Sequence, residues 1–195
     1  HEQVKMAHLA IVGSYSVNGV AKLHTEILMK REMKNFYQVF PEKFNNKTNG
    51  ITHRRWLLKA NPQLSQLISN SIGESWIHSP EEFTRLQEYE NDSAFLEELL
   101  KIKESNKQRL GAIIHQQNGI TVDTHSIFDV QVKRLHAYKR QLLNVLHIMY
   151  LYNRIKEDSS FQMVPRTFIF GAKASPGYYY AKKIIKLINT VAQKV

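Results

Sequence analysis

Twice in the second half of the chain the hydrophobic period changes from two to between three and four, and this constrains the fold more than any other feature. Phe128-Asp129-Val130-Gln131-Val132 alternates as a half-buried strand does, whereas Leu135, Tyr138, Leu142, Leu146 and Met149 recur at helical spacing. The period switches at Lys133-Arg134. A second unit repeats the order: Thr167-Phe168-Ile169-Phe170 reads as a strand, residues 171–177 with Pro176 as a turn, and Tyr180, Ile184, Leu187, Ile188 and Val191 as a helix. Parallel neighbours in a sheet can be joined only by a long crossover, so strand, turn, long helix, repeated, predicts an α/β chain with a parallel sheet and long flanking helices. With 195 residues, 43% of them hydrophobic, the chain can bury a core in one large domain or two small ones. Eight glycines and five prolines exclude collagen-like and low-complexity readings.

The first half is less regular. Met6-Ala7-His8-Leu9-Ala10-Ile11-Val12, followed by Gly13-Ser14, predicts a short apolar strand ending in a turn, with an apolar helix as the alternative. Leu23, Ile27 and Met33 among Lys22, Glu26, Lys30 and Arg31 predict an amphipathic helix running toward Phe36. The polar run 43–50 predicts a loop. Residues 57–72 read as helix interrupted at Asn61-Pro62, with the proline in the first turn of a new helix. From residue 80 to about 115 the pattern is strongly helical, with Phe95, Leu96, Leu99, Leu100 and Ile102 among glutamates and lysines. The helical, acidic segment is placed at about 74–118, within a single domain fragment spanning 1–195. No internal repeat or disordered linker is read.

The absence of cysteine excludes a disulfide scaffold, a thiolate zinc site and a cysteine nucleophile, and suits a reducing cytoplasm. No apolar run approaches the ~20 residues of a membrane span, so no membrane partner is expected. His1-Glu2-Gln3-Val4-Lys5 resembles neither a signal peptide nor a natural start, and the chain is expected to be cut from something longer. Net charge is +10. Residues 74–104 hold nine acidic and three basic side chains, net −6, so the remainder carries +16. An anionic ligand would have to sit in the flanking regions.

Val132-Lys133-Arg134-Leu135-His136-Ala137-Tyr138-Lys139-Arg140 places four cations and a histidine where a strand is expected to give way to a helix N-terminus. The helix macrodipole is positive there, so clustered cations are locally unfavourable by a few tenths to about 1 kcal/mol each when exposed. A bound anion relieves that repulsion, and the carboxyl end of a strand in an open α/β sheet is the usual ligand position. Arg134 can grip a phosphate through two parallel N–H bonds while Lys133 and Lys139 act as point charges. A solvated basic surface is the competing reading, and on the residues alone the two stand level. Asn45-Asn46-Lys47-Thr48-Asn49-Gly50 suits a turn or recognition of a polyhydroxylated ligand, and the turn is preferred. Ser14-Tyr15-Ser16-Val17-Asn18-Gly19 lacks both the dinucleotide glycine spacing and the Walker lysine. His136 and His147 lack carboxylates at ligand spacing, so no metal site is read. Ser175-Pro176-Gly177-Tyr178-Tyr179-Tyr180 reads as aromatic cover for the sheet in preference to a ring-stacking platform.

Several blocks resemble the α-glucan phosphorylases, the family acting on glycogen, starch and maltodextrin. They are His8-Leu9-Ala10 through Gly13-Ser14, Val17-Asn18-Gly19-Val20-Ala21, His24-Thr25-Glu26-Ile27-Leu28, Asn46-Lys47-Thr48-Asn49-Gly50-Ile51-Thr52 and Arg54-Arg55-Trp56. Phe128-Asp129-Val130-Gln131-Val132-Lys133-Arg134, Tyr138-Lys139-Arg140-Gln141-Leu142-Leu143-Asn144 and Gly171-Ala172-Lys173-Ala174-Ser175-Pro176-Gly177-Tyr178 follow in one order covering essentially the whole chain.

The resemblance implies a glycosyltransferase of two Rossmann-like domains facing a cleft. This chain would be a partial Rossmann-like sheet from the C-terminal, pyridoxal-phosphate-binding domain together with the segment leading into it. It implies transfer of the terminal α-1,4-linked glucose of a glucan to inorganic phosphate, giving glucose 1-phosphate with retained configuration, and a pyridoxal 5'-phosphate cofactor that acts through its phosphate. Carried over by matching position, Lys133 approaches the cofactor phosphate, Arg134 and Lys139 hold substrate phosphate, Trp56 packs beside the cofactor ring, Asn49 hydrogen-bonds a glucose hydroxyl and Val20 lines the sugar pocket. The cofactor's Schiff-base lysine is expected beyond Val195, so neither Lys173 nor Lys182 takes that role, and the opposing N-terminal domain is expected to be missing. The isolated chain is accordingly expected to be inactive, and the full-length enzyme to be a cytoplasmic homodimer with no nucleic-acid partner. A noncatalytic polyanion-binding α/β module is the alternative.

Overall fold

The computed structural model describes residues 3–195; the reading of His1-Glu2 as an unnatural start falls outside them. The chain divides into two compact units, residues 1–86 and 87–195. Each has its own two-stranded parallel sheet, and the class is α/β.

In the first unit, α1 (Met6–Gly13) is a helix, which corrects the strand expected over 6–12. A strand needs a ladder partner, whereas this segment satisfies its amides locally, as in Leu9 N–H to Lys5 O at 3.1 Å and Ser14 N–H to Ala10 O at 3.0 Å. Lys43 Nζ caps its far end, donating to the carbonyls of Ile11 and Val12 at 3.1 and 3.2 Å. The parallel pair is β1 (Val17–Gly19) with β2 (Phe44–Asn46), in register Val17 to Phe44 and Gly19 to Asn46. Thus β2 occupies part of the run expected to be loop, because Phe44 is buried and meets the Tyr37 ring edge-on at 5.5 Å. Between the strands run α2 (Lys22–Ile27), a π-helical turn (Leu28–Glu32) and α3 (Lys34–Val39), the expected helix broken into three pieces.

A second π-helical turn (Arg54–Lys59) leads to α4 (Pro62–Ile72), which begins as predicted with proline in its first turn. Asn61 caps it by accepting from Leu64 N–H at 3.3 Å, and Gly73, at φ 81°, ends it in a conformation costly for side chains with a Cβ. Ile68 and Ile72 enter a core closed by fully buried Trp76, whose indole N–H donates to Ser69 Oγ at 3.1 Å. Buried His53 stands 6.0 Å from the Trp76 ring and engages Ile77 O through Nε2 at 2.9 Å.

The acidic helical stretch is not one helix: a 3-10 segment (Pro80–Tyr89) precedes α5 (Ser93–Asn118). The break lies at Asp92, whose carboxylate accepts from Ala94 N–H and Phe95 N–H at 2.9 and 3.0 Å and so starts a new helix. Gly119, at φ 70°, ends α5. In the second unit β3 (Ile127–Val132), α6 (Gln141–Glu157), β4 (Arg166–Gly171) and α7 (Tyr179–Ala192) realise the expected order, with β3 and β4 parallel from Ile127–Arg166 to Val132–Gly171. Leu135, Ala181 and Ile184 form the core beside them, joined by Leu142, Ala174 and Tyr178.

Among the described residues no helix is long and apolar enough to cross a membrane.

Candidate functional site

Parallel pairing puts the carboxyl ends of β3 and β4 on one edge, so residues 133–140 and 172–178 leave the sheet side by side. Main-chain bonds stitch the two connections together: Lys133 N–H donates to Gly171 O and Leu135 N–H to Lys173 O, both at 3.0 Å. These bonds extend the ladder past the strands. Leu135, 2% exposed, is the apolar anchor, seated against Ala181 and Ile184 of α7. Tyr178 adds a polar tie, its Oη accepting from the Ala137 N–H at 3.2 Å, and the His136 ring packs 4.5 Å from Tyr138 and 5.3 Å from Tyr178.

Of the four cations only Arg140 adjoins the helix start, as the N-cap residue of α6, while Lys133, Arg134 and Lys139 lie on the connection before it. The helical spacing read from Leu135 onward begins six residues too early, since α6 starts at Gln141. Leu135 is apolar because it pins a loop to the core. A single 3-10 turn (Ala137–Lys139) and Arg140, left-handed at φ 58°, separate the strand from the helix. Lys133 and Arg134 are exposed on this connection, while Lys139 is half-buried with its Nζ 5.0 Å from the Tyr138 ring centre. Lys139 and Arg140 line an open hollow of about 400 Å³ with Gln131 and Asn144, and Lys133 and Arg134 are not among its lining residues.

Two further side chains belong to this region although the sequence drew no attention to them. Gln141, completely buried, donates through Nε2 to Arg134 O at 3.2 Å. Gln131 donates to Lys139 O at 3.2 Å and accepts from Asn144 Nδ2 at 2.9 Å. Gln131 carried a signal only as the polar member of an alternating strand, and Gln141 only as a polar residue beside apolar Leu142.

The first unit has its own strand-end assembly. Lys47 N–H donates to Gly19 O at 3.0 Å and Asn49 N–H to Val20 O at 3.1 Å, bringing Asn49 and Val20 together across 29 positions. Gly19 is required for it: a Cβ there would lie 2.7 Å from the Thr25 backbone. The buried Thr25 hydroxyl sits 2.9 Å from both Ala21 O and Asn46 Oδ1, tying α2 to the end of β2. Asn49 and Val20 are exposed, as suits contact with a ligand. Trp56, 73% exposed on its π-helical turn, is joined to neither by a hydrogen bond or ring contact among the described residues.

This donor set fits an anionic ligand and a polyhydroxylated one on separate units.

Comparison with known proteins gives the same direction. A family model described as carbohydrate phosphorylase matches residues 1–195. A glycogen phosphorylase of Bacillus subtilis is 66% identical over all 195 residues, which cover 24% of that protein. One from Synechocystis is 49% identical and the human liver form 50% identical, each over 194 residues covering all of this chain and 23% of the relative. The chain thus spans about a quarter of the length of these relatives. A match to the family model from the first residue to the last, on a parallel α/β framework with a cationic strand end, places the chain in the carbohydrate phosphorylase family.

Proposed function

We propose that the chain is part of an α-1,4-glucan phosphorylase, a glycosyltransferase of glycogen metabolism moving the terminal glucose of a glucan onto inorganic phosphate to give glucose 1-phosphate. The observation that carries this reading is the β3–α6 connection, where Lys133, Arg134 and Lys139 share one short loop stitched to its neighbour at the carboxyl ends of parallel strands. The whole enzyme is read as two Rossmann-like domains around a cleft, this chain belonging to the C-terminal one, and as a cytoplasmic homodimer.

Arg134 holds substrate phosphate through its planar pair of N–H donors, and Lys139 supplies a point charge to the same ion. Lys133 would neutralise the phosphate of pyridoxal 5'-phosphate, and the exposed indole of Trp56 would offer its face to the cofactor ring. When bound, that cofactor supplies a phosphate group able to exchange a proton with substrate phosphate. Two phosphates at close range repel strongly in a partly dry cleft, and fixed cations already in place offset this without reorganisation during reaction. Asn49 donates to or accepts from a glucose hydroxyl while Val20 borders the ring, orienting the sugar without adding charge near a carbon that becomes electron-poor as the glucan departs.

The test is Arg134→Ala in the full-length protein. Glucose 1-phosphate formation from maltodextrin should fall about a hundredfold or more, with a melting midpoint within ~2 °C of the parent. Equal activity with altered solubility would return Lys133 and Arg134 to ordinary solvated surface.

A further inference from the structure

Each cationic residue proposed to hold substrate phosphate has its main-chain carbonyl gripped by the side-chain amide of a glutamine. Gln141 Nε2 reaches Arg134 O and Gln131 Nε2 reaches Lys139 O, both at 3.2 Å. We propose that Gln141 and Gln131 are positioning residues, which fix the backbone from which the Arg134 and Lys139 side chains emerge and so set the separation of their charged tips. The inference rests on the phosphate-binding reading of Arg134 and Lys139.

Gln141 makes the stronger case because its presence is locally unfavourable. Its side chain is completely buried and its Oε1 has no partner among the described residues. An unsatisfied buried oxygen is destabilising, because it gives up its hydrogen bonds to water and gains none in return. An apolar side chain of similar length, such as methionine, would fill the same space in the first turn of α6 without that cost. What the amide provides and methionine cannot is the N–H bond to Arg134 O.

Gln131 is held from behind. Asn144, one turn into α6, donates to Gln131 Oε1 at 2.9 Å, so the bond to Lys139 is the outer link of a strand-to-helix chain of amides. The connection these amides brace contains a left-handed residue, Arg140, and one 3-10 turn, and its apolar anchor is Leu135. Leu135 fixes its middle. The two glutamines fix the residues whose side chains must converge on a single ion.

The experiment compares Gln141→Met, Gln131→Met and Arg134→Ala in the full-length holoenzyme. It measures KM for inorganic phosphate and for maltodextrin separately, cofactor content, melting midpoint, and phosphate binding by ³¹P line-broadening. Expected for Gln141→Met is a roughly tenfold rise in phosphate KM with weakened ³¹P binding, glucan KM within about twofold, full cofactor content, and a melting midpoint equal to or above the parent's. Gln131→Met should show the same selectivity. If Gln141→Met fails to fold, Gln131→Met decides alone by the same criteria. Equal rises in both KM values, or a lowered melting midpoint with phosphate KM unchanged, would overturn the proposal. Arg134→Ala separates the two levels: if it leaves phosphate KM unchanged, the site reading itself is wrong, whereas a raised phosphate KM there with parent-like glutamine variants removes only the positioning role.

Discussion

The main-chain N–H of Asn49 donates to the carbonyl of Val20 at 3.1 Å, so the residue proposed to bind a glucose hydroxyl and the residue proposed to border the sugar are registered to each other through backbone. Lys47 to Gly19 is the preceding rung, and together they continue the β1–β2 pairing into the loops.

That register depends on Gly19. Alanine there would press its Cβ to 2.7 Å from the Thr25 backbone, which cannot swing aside as a flexible side chain would. Gly19→Ala should therefore destabilise the chain by about 1–3 kcal/mol, read as a lower urea midpoint, and should raise glucan KM in the full-length enzyme. An unchanged midpoint would show that the strand end relaxes freely.

Leu135 is the anchor of the cationic connection. Leu135→Ala should cost about 2–5 kcal/mol, and Leu135→Met, which conserves volume, less than about 1.5 kcal/mol. The loss should appear in denaturant unfolding together with a reduced near-ultraviolet signal from the packed Tyr138 and Tyr178 rings. A small effect from alanine would mean that the main-chain bonds alone hold the loop.

Asp158 supplies a pH dependence. Its carboxylate is held below the ordinary aspartate range, first by the Ser160 hydroxyl, which donates at 2.6 Å, and then by the Ser160 and Phe161 main-chain environment. Because the folded-state value is lowered, its contribution is complete above the unfolded value of about 3.9 and disappears as pH falls through the folded one. Amide exchange at Ser160, corrected for intrinsic rate, should be protected at neutral pH and lose that protection only in strong acid. Asp158→Asn should show a much weaker pH dependence at this site.

Apolar surface predicts self-association of the isolated chain. Val130 and Val132 on the sheet and Leu143 and Leu146 on α6 are exposed. Light scattering should show mass rising with concentration, and Leu146→Lys should reduce the rise. A constant monomer mass across a wide range would contradict the expectation.

The second unit was more legible in sequence than the first, for a physical reason. Its strands lie next to long helices, so the period-two and helical patterns at 128–132, 142–149, 167–170 and 180–191 each persist long enough to be read. In the first unit, three-residue strands carry almost no period, and the apolar run of α1 buries only Ile11, so its composition imitated a strand. The cationic cluster was visible as charge, but its local conformation was not. Leu135 has the spacing of a helical residue yet serves a loop, and nothing local announces the left-handed Arg140. Gln131 and Gln141 were invisible as braces because their partners are carbonyls, and every residue has one.

The tethers between the two strand-end connections of the second unit run through peptide groups at Lys133 and Leu135, not through the side chains of Lys133 or Arg134. Scaffold and chemistry are consequently uncoupled at positions 133 and 134. A library randomised at just those two sites should yield mostly foldable members that differ in which anion they prefer, making this parallel seam a natural starting point for redirecting acceptor choice.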